Sequence, residues 1–595
     1  MMSAACGRYW VLVLAGRTRL YLYTSLTGKA IEFMEELSTP PHRVGKWGRI
    51  GAVVGVCITS FFVHGGAPGV SLMEARNFVA AREMVAGGSW LIPTMNGDLR
   101  LAKPPLPTWA VAGLQQLVGP TDDLGLLRVP AALAATLLVF FLWGVARALT
   151  QGRPGEAEEP GRTAWYAALV VASSLLVITT GREGQWDIFS VSLMLGAVWL
   201  LLKGWQHPGR GLGWLAGAGV VGGLSVLSKG PVALYTLLLP FLGAYFIGHP
   251  DHRRQLRRQW AGTSLALGLL VAVGGSWPWY IYQKVAPVAL KVASTEISSW
   301  GERHVKPVWF YAPFAVFTGI WALVALISLV WPYARARAQR YIPYLLVLGW
   351  ALGGLVLLSV VPEKKERYML PLMPPLALLV AGMLRYWETA VATRRQTRSD
   401  GWALRSWAGI LLLVCLAVPV AMLLVDLPGT KGARLVAGVV VFGGLGLYVV
   451  QQGIRANRPA ALMGASLTGM AALLLLLLPF YPTWERRRDT PGLRMMPQVR
   501  QNEALQGMPW FSLDTLHVKQ VWNAGRAVPI LPISDSVEVK QLQLPAVVFS
   551  ASPLGARLPA SWRELGIELV PVDSFYLEAK KEAGQWVIGR LQRKR

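Results

Sequence analysis

The sequence predicts an α-helical polytopic membrane protein with about thirteen transmembrane helices, periplasmic interface helices and a small C-terminal α/β domain. Of its 595 residues, 53% are hydrophobic and 15% are charged, whereas soluble proteins carry about 25% charged residues. The mean hydropathy is +0.42. The apolar residues form runs that repeatedly reach the roughly 20 residues needed to cross a bilayer. This composition excludes a disordered chain, a disulfide-rich secreted scaffold and a single soluble core.

The apolar runs define a transmembrane domain over residues 46–484, preceded by an N-terminal cytoplasmic segment at 1–45. The predicted spans lie near 47–64, 126–148, 164–180, 187–202, 212–228, 231–247, 261–282, 313–331, 343–361, 369–386, 406–425, 434–451 and 460–480.

The net charge of +26 fixes the predicted orientation of these spans. In a soluble protein such an excess would suggest a nucleic-acid partner. Here the arginines cluster in alternate loops, as at 253–258 and 394–398, and cationic loops face the cytoplasm. We therefore predict membrane lipids and no nucleic acid as partners. The intervening loops, including the long ones at 65–125 and 284–312, are predicted to face outward.

The first outer loop, 65–125, begins with an amphipathic helix over 71–85, predicted to lie along the membrane interface. Ser71 and Glu74 fit a capping box at its start. A second apolar helix is predicted at 106–117.

Lys103 lies between these two helices and directly before Pro104. Proline holds the preceding residue extended, so the Lys103 ammonium is free to project from the chain. Two interpretations remain open: a ligand-binding cation, or an interfacial lysine that reaches lipid headgroups.

Several short outer turns also carry ionisable residues beside apolar segments, where an unpaired charge is costly. Lys229 lies between the apolar runs 226–227 and 232–234, and Arg182 and Asp187 flank the turn before the fourth span. Asp187 is either a functional carboxylate or a counter-ion to Arg182 at a helix N-terminus. The functional site is therefore predicted on the outer face.

The tail, 485–595, is predicted to be a soluble α/β domain on the same outer side, because the number of spans is odd. Strands are predicted at 545–550, 567–570 and 585–589, and short helices at 496–506, 513–523 and 561–565. Its sequence shows no phosphate-binding loop or metal signature, so acceptor recognition or stabilisation is its expected role.

Taken together, the outer segments resemble the integral membrane glycosyltransferases of the GT-C fold that use polyprenyl-phosphate sugars. The aminoarabinose lipid A transferases and the bacterial relatives of protein O-mannosyltransferases are the most similar groups. The resemblance covers roughly residues 45–390. It rests on Glu74-Ala75-Arg76, Lys103-Pro104-Pro105-Leu106-Pro107, Arg182 with Asp187, Leu227-Ser228-Lys229-Gly230-Pro231 and Arg367-Tyr368-Met369-Leu370-Pro371. These enzymes often carry an Asp before the Glu, where this chain has Met73.

The resemblance implies an inverting sugar transfer from a polyprenyl-phosphate donor to a lipid A-like glycolipid or a protein. It places the enzyme in the bacterial inner membrane with its active site facing the periplasm. A carboxylate acts as general base in such a reaction, and cations stabilise the leaving phosphate. The implied catalytic residues are Glu74 and Asp187. The implied phosphate-binding residues are Lys103, Lys229, Arg367, Tyr368, Arg76 and Arg182.

Alternatives remain open for the cofactor and for the functional class of the protein. Glu74 and Asp187 could instead hold a divalent metal ion, while no nucleotide or redox cofactor is expected. A polytopic transporter, or an envelope polymer ligase or polymerase, would also use many spans and buried charges. Transporters often show paired repeats with interrupted helices, and the sequence shows no such pairing.

Overall fold

A computed structural model describes residues 45–207, 209, 211–248, 250–302, 304–424, 432–486, 499–531, 542–551, 562, 564–576 and 585–594. The predicted N-terminal segment, apart from Gly45, lies outside the described residues, as do residues 496–498 of the predicted helix at 496–506 and residues 561 and 563 of the one at 561–565.

Within these ranges, nine helices are long and apolar enough to cross a membrane. They are Leu124–Thr150, Trp186–Gln206, Gly211–Lys229, Trp260–Ser298, Val308–Leu329, Glu366–Ala392, Arg398–Leu424, Ala433–Arg455 and Pro459–Thr483. The helix pair Arg162–Ala172 and Leu175–Gly181, bent by 61°, brings the number to ten if it forms one span. The predicted multi-pass membrane protein is confirmed.

The predicted number of thirteen spans is not confirmed. The other three predicted segments are helical but short: Lys46–Cys57 continued by Ile58–Phe62, then Leu234–Gly248, and Tyr344–Val360. A helix rises about 1.5 Å per residue, so these helices fall short of a hydrocarbon core of roughly 30 Å. An apolar run therefore predicts a helix at each position but does not reveal where a turn shortens it.

The segment after the seventh predicted span differs from its prediction as an outer loop. The helix Trp260–Glu302 continues for 43 residues, past Pro278 and Pro287, with non-helical dihedral angles at Val285. Because the helix extends so far, it brings Glu296 close to Lys103 of the first outer loop.

The first outer loop contains the two predicted helices, at Leu72–Val85 and Leu106–Val118; we call Leu72–Val85 the first loop helix. Between them, strands β1 (Thr94–Met95) and β2 (Asp98–Leu99) form a short antiparallel hairpin. The first loop helix buries Phe78 and Val79 in a cluster shared with the C-terminal domain. It therefore connects the membrane part to that domain.

The C-terminal domain has a four-stranded sheet in the order β3-β4-β6-β5. The strands are β3 (Trp510–Ser512), β4 (Ala546–Ser550), β5 (Ile567–Tyr576) and β6 (Gln585–Arg593). The β3–β4 pair is parallel and the other pairs are antiparallel. With the helix Val518–Ala524, this confirms the predicted α/β domain. Shorter helices elsewhere are Pro154–Glu156, Pro250–Arg258, Trp331–Ala338 and Glu503–Leu505.

Candidate active site

A cavity of about 780 Å³ lies between the first loop helix and the ends of several membrane helices. Its walls come from segments far apart in the sequence. The lining includes residues 71–73 and 76, 102–104, 183, 186–187, 229–232, 296–297, 304, 363, 365 and 367–368. These segments all belong to the predicted outer face.

Six of the eight predicted site residues line this cavity: Arg76, Lys103, Asp187, Lys229, Arg367 and Tyr368. Glu74 and Arg182 are absent from the cavity wall. The structure thus brings together five of the six phosphate-binding candidates and one of the two predicted carboxylates.

Asp187 lies at the centre of a cluster of charged side chains in the cavity wall, between Lys229 and Arg367. It lies in the first turn of the helix Trp186–Gln206, where the helix dipole favours a negative charge. Its carboxylate pairs with the Lys229 ammonium through Oδ1, and its Oδ2 lies 3.4 Å from Nε of Arg367. The Lys229 Nζ also lies 4.4 Å from the centre of the Tyr368 ring, within range of a cation–π interaction. Asp187 therefore neutralises cavity cations and is not the counter-ion of Arg182.

Two further ion pairs complete the charged lining. Lys103 Nζ lies 2.8 Å from Glu296 Oε2, and Lys365 Nζ lies 2.5 Å from Glu363 Oε1. The Tyr368 hydroxyl donates to the same Glu363 oxygen at 3.3 Å. Lys103 is thus a cavity cation, and the alternative of a lipid-facing lysine is not what the structure shows.

Glu74 lies outside the cavity lining, contrary to its predicted position as an accessible base. It is fully buried and forms the expected capping box with Ser71. Arg128 donates to both of its oxygens, at 2.7 and 2.9 Å, and the backbone N–H of Gly184 donates to Oε1 at 2.8 Å. Both carboxylate oxygens of Glu74 therefore already accept hydrogen bonds from other segments of the protein. Glu74 holds these segments together and is poorly placed to accept a proton from a substrate.

Arg182 also lies outside the cavity lining. Its three guanidinium nitrogens donate to the carbonyls of Ser60, Val63 and Thr59 at 2.6–2.9 Å. These carbonyls belong to the C-terminal end of the helix Lys46–Cys57 continued by Ile58–Phe62, and the last carbonyls of a helix lack backbone partners within it. Arg182 therefore caps that helix, and its donors are not available for a phosphate.

Glu183 is a cavity residue that the sequence reasoning missed. Burial and the nearby charges of Glu74 and Asp187 raise its pKa to about 7, although Arg367 and Arg128 act in the opposite direction. It lies in the short outer turn that the sequence singled out for Arg182 and Asp187. The sequence did contain a signal for Glu183, because it is a third ionisable residue in the same turn as Arg182 and Asp187.

The predicted metal site stays a prediction. Asp187 already binds Lys229 and Arg367, and Glu74 already binds Arg128. Among the described ranges, no three His, Cys, Asp or Glu side chains gather closely enough to hold a metal ion. The described residues therefore do not supply a ligand set on these two carboxylates.

Comparison with known proteins supports the class that the sequence resembles, the glycosyltransferases that use lipid-phosphate sugars. Residues 102–279 match the family model of the dolichyl-phosphate-mannose-protein mannosyltransferases. The undecaprenyl phosphate-alpha-4-amino-4-deoxy-L-arabinose arabinosyl transferase of Edwardsiella ictaluri is 27% identical over 460 residues, which cover 72% of this chain and 76% of that protein. A transferase of the same name from Pseudomonas fluorescens is 27% identical over 458 residues, covering 73% of this chain and 72% of that protein.

The fold is also shared with a solved structure. The crystal structure of ArnT from Cupriavidus metallidurans bound to undecaprenyl phosphate superposes with a TM-score of 0.65 at 18% identity, covering 92% of this chain and 98% of that one. The GT-C fold predicted from the sequence is confirmed. The resemblance to lipid-phosphate-sugar glycosyltransferases, and with it the prediction of a glycosyltransferase over a transporter or a polymer ligase, is confirmed as well.

Proposed function

We propose that this membrane glycosyltransferase takes an aminoarabinose-type sugar from undecaprenyl phosphate and attaches it, with inversion, to an envelope acceptor such as a lipid A-like glycolipid. The names of the related transferases support this donor. The cavity faces the periplasm of a bacterial inner membrane in this proposal.

The observation that carries the proposal is the convergence of cations from distant segments on one cavity. Its lining holds five Lys and Arg side chains and four carboxyl groups: Arg76, Lys103, Lys229, Lys365 and Arg367 against Glu183, Asp187, Glu296 and Glu363. When the sugar leaves, the donor's phosphodiester becomes a phosphomonoester and gains negative charge. Fixed cations stabilise that charge most effectively where water is scarce.

The individual cations suit different parts of this task. Arg367 presents a planar guanidinium that matches two phosphate oxygens, whereas Lys103 and Lys229 act as point charges. Lys229 is the most confined of them, with a side chain 8% exposed between Asp187 and the Tyr368 ring. Ile297, which is 70% exposed, lies at the cavity margin and offers apolar contact to a prenyl chain.

The charge distribution supports the proposed orientation. Arg253 and Arg254 lie on the helix Pro250–Arg258, directly before the membrane helix Trp260–Ser298, whereas Glu296 and Ile297 at the other end of that membrane helix line the cavity. The positive-inside rule assigns the arginine-rich side to the cytoplasm. The C-terminal domain packs on the first loop helix and so shares the outer side with the cavity.

Substitution of Lys229 by Ala tests the proposal directly. Loss of a charged hydrogen bond costs about 1.5–3 kcal/mol, so we expect donor affinity to fall about 10- to 100-fold. Binding of undecaprenyl-phosphate sugar to purified protein in proteoliposomes measures this change, and mass spectrometry of the acceptor measures transfer.

Lys203→Ala is the matched control, because Lys203 lies at the other end of a neighbouring membrane helix and is expected to leave both measurements unchanged. Unaltered donor affinity in Lys229→Ala, together with an intact fold, would contradict the assignment of this cavity to the donor phosphate.

A further inference from the structure

We propose that Glu183 is the catalytic base of this enzyme and that the acceptor atom it activates is a hydroxyl oxygen. The product is then an O-glycoside and not a glycosyl phosphate. The inference rests on the proposed function, since it assigns a residue and an acceptor chemistry to the same cavity.

The first step is the pairing of the cavity carboxyls. Asp187, Glu296 and Glu363 each have a Lys or Arg nitrogen within 4 Å. For Glu183 no such ion pair exists among the residues that the structure describes. A nearby cation stabilises a carboxylate and weakens it as a base, so Glu183 is the strongest base of the four.

The second step is the protonation equilibrium of this carboxyl. Burial raises the pKa of Glu183 to about 7, and the negative charges of Glu74 and Asp187 act in the same direction. The opposing cations are Arg367 and Arg128. A general base works best when its pKa lies near the operating pH, because it is then both available and able to hold a proton.

The third step is the rigid support of the turn that carries Glu183. The Gly184 N–H donates to Glu74, and the Gly184 carbonyl accepts from Asn77 Nδ2, both at 2.8 Å. A Cβ atom at position 184 would lie 2.4 Å from the Phe78 ring, so only glycine permits this close approach. The Gln185 amide donates to Oε2 of Glu183. Oε1 accepts no hydrogen bond within the described part of the chain, which leaves it available to a substrate proton.

These features define a balanced transfer step. The acceptor O–H gives its proton to the Glu183 carboxylate while its oxygen forms a bond to the anomeric carbon of the sugar. The bond from that carbon to the phosphate oxygen breaks, and its electron pair leaves with the lipid phosphomonoester next to Lys103 and Arg367. Protonated Glu183 then releases its proton to water.

The acceptor chemistry follows from the presence of this base. An ionised phosphate oxygen already carries the electron pair needed for attack, so it gains nothing from a neighbouring base. It would also bring negative charge close to Glu183 and Asp187. A hydroxyl is neutral in the ground state and must lose its proton during attack, which matches the carboxyl that the cavity provides.

Glu183→Gln tests the base, because the amide keeps the size of the side chain but cannot accept the proton. General base catalysis contributes about 10²- to 10⁴-fold, so we expect kcat to fall by that factor while donor affinity stays within about twofold. In the wild type, kcat/KM should rise with pH through about 7, because the carboxyl must be ionised. This acid limb should disappear in the variant.

Glu302→Gln is the matched control, since Glu302 is exposed at the end of the long helix Trp260–Glu302 and outside the cavity. Glu183→Asp provides a second variant that retains a carboxyl. It is expected to keep the acid limb at reduced kcat, and it decides the question if the Gln variant does not fold.

Full turnover in Glu183→Gln, an unchanged acid limb, or a parallel loss of donor affinity would each overturn the assignment. Tandem mass spectrometry of the wild-type product tests the acceptor, because an O-glycoside resists mild acid and a glycosyl phosphate is hydrolysed. A glycosyl phosphate product would overturn the hydroxyl inference alone, whereas no glycosylated product at all would contradict the proposed function.

Discussion

Glu74 and Glu183 are two buried or half-buried glutamates in neighbouring segments, and their hydrogen bonds separate their roles. Both oxygens of Glu74 accept hydrogen bonds from Arg128, and Ser71 and Gly184 donate to them as well. Glu183 accepts from Gln185 alone among the described residues and lines the cavity. The sequence motif draws attention to Glu74, but only the hydrogen bonds show that Glu74 lies behind the cavity wall and stabilises the turn at Gly184.

Replacing Glu74 by Ala should therefore affect stability first. The change leaves the guanidinium of Arg128 buried without its carboxylate, and breaking a buried ion pair in this way costs about 3–5 kcal/mol. We expect a clear decrease in the thermal unfolding temperature in detergent, followed by loss of transfer as the turn at Gly184 loosens.

Glu302→Ala, at an exposed position, serves as the control and should unfold like the wild type. Wild-type stability in Glu74→Ala combined with lost turnover would instead give Glu74 a direct part in the chemistry.

At the scale of elements, the first loop helix is positioned by the C-terminal domain. The Arg82 guanidinium donates to the carbonyls of Val521 and Trp522 at 2.9 and 3.2 Å. These carbonyls belong to the last turn of the helix Val518–Ala524, where a cation is favourable. Asn96 exchanges two hydrogen bonds with the backbone of Val528.

Arg82→Met should weaken this contact while keeping much of the apolar side chain. Hydrogen bonds to charged groups contribute about 1.5–3 kcal/mol, so we expect faster limited proteolysis at the boundary between the membrane part and the C-terminal domain. Transfer should fall as well, because the same helix lines the cavity.

Arg593→Met is the matched control, since Arg593 is an exposed cation at the end of β6. Equal proteolysis rates in the two variants would show that Arg82 does not hold the domain in place.

The elements themselves were largely predictable from local patterns. The capping box of Ser71 and Glu74 predicts the start of the first loop helix, and runs of β-branched residues predict β4, β5 and β6. Local patterns do not reveal the contact between Arg82 and Trp522, because the partners are 440 positions apart. The ion pair between Lys103 and Glu296 escaped prediction for a related reason: the long helix was expected to end near residue 282.

At the scale of the whole molecule, hydropathy located the apolar helices of the described residues, and the distribution of arginines predicts which face is cytoplasmic. The number of complete spans was not predictable, because helix length depends on turns such as the one at Gly230, whose φ is +82°. The cavity was predictable only in part: residues on the outer turns could be assigned to one face, but which of them share a cavity depends on helix packing.

The orientation can be tested by labelling in a variant whose three cysteines are replaced by Ser. We expect Glu302→Cys to react with a membrane-impermeant maleimide added to intact spheroplasts. Arg254→Cys, whose side-chain site is 78% exposed on the arginine-rich side, should react only after permeabilisation. The reverse pattern would place the cavity in the cytoplasm.

The pairing of the cavity cations also bears on how one catalytic cycle ends. Lys103 pairs with Glu296, and Lys229 and Arg367 share Asp187, so the resting enzyme holds no large uncompensated charge near the bilayer. In the proposed reaction, an arriving phosphate would compete with these carboxylates for the same nitrogens. The spent lipid carrier would meet the same competition, so we expect these carboxylates to speed its release.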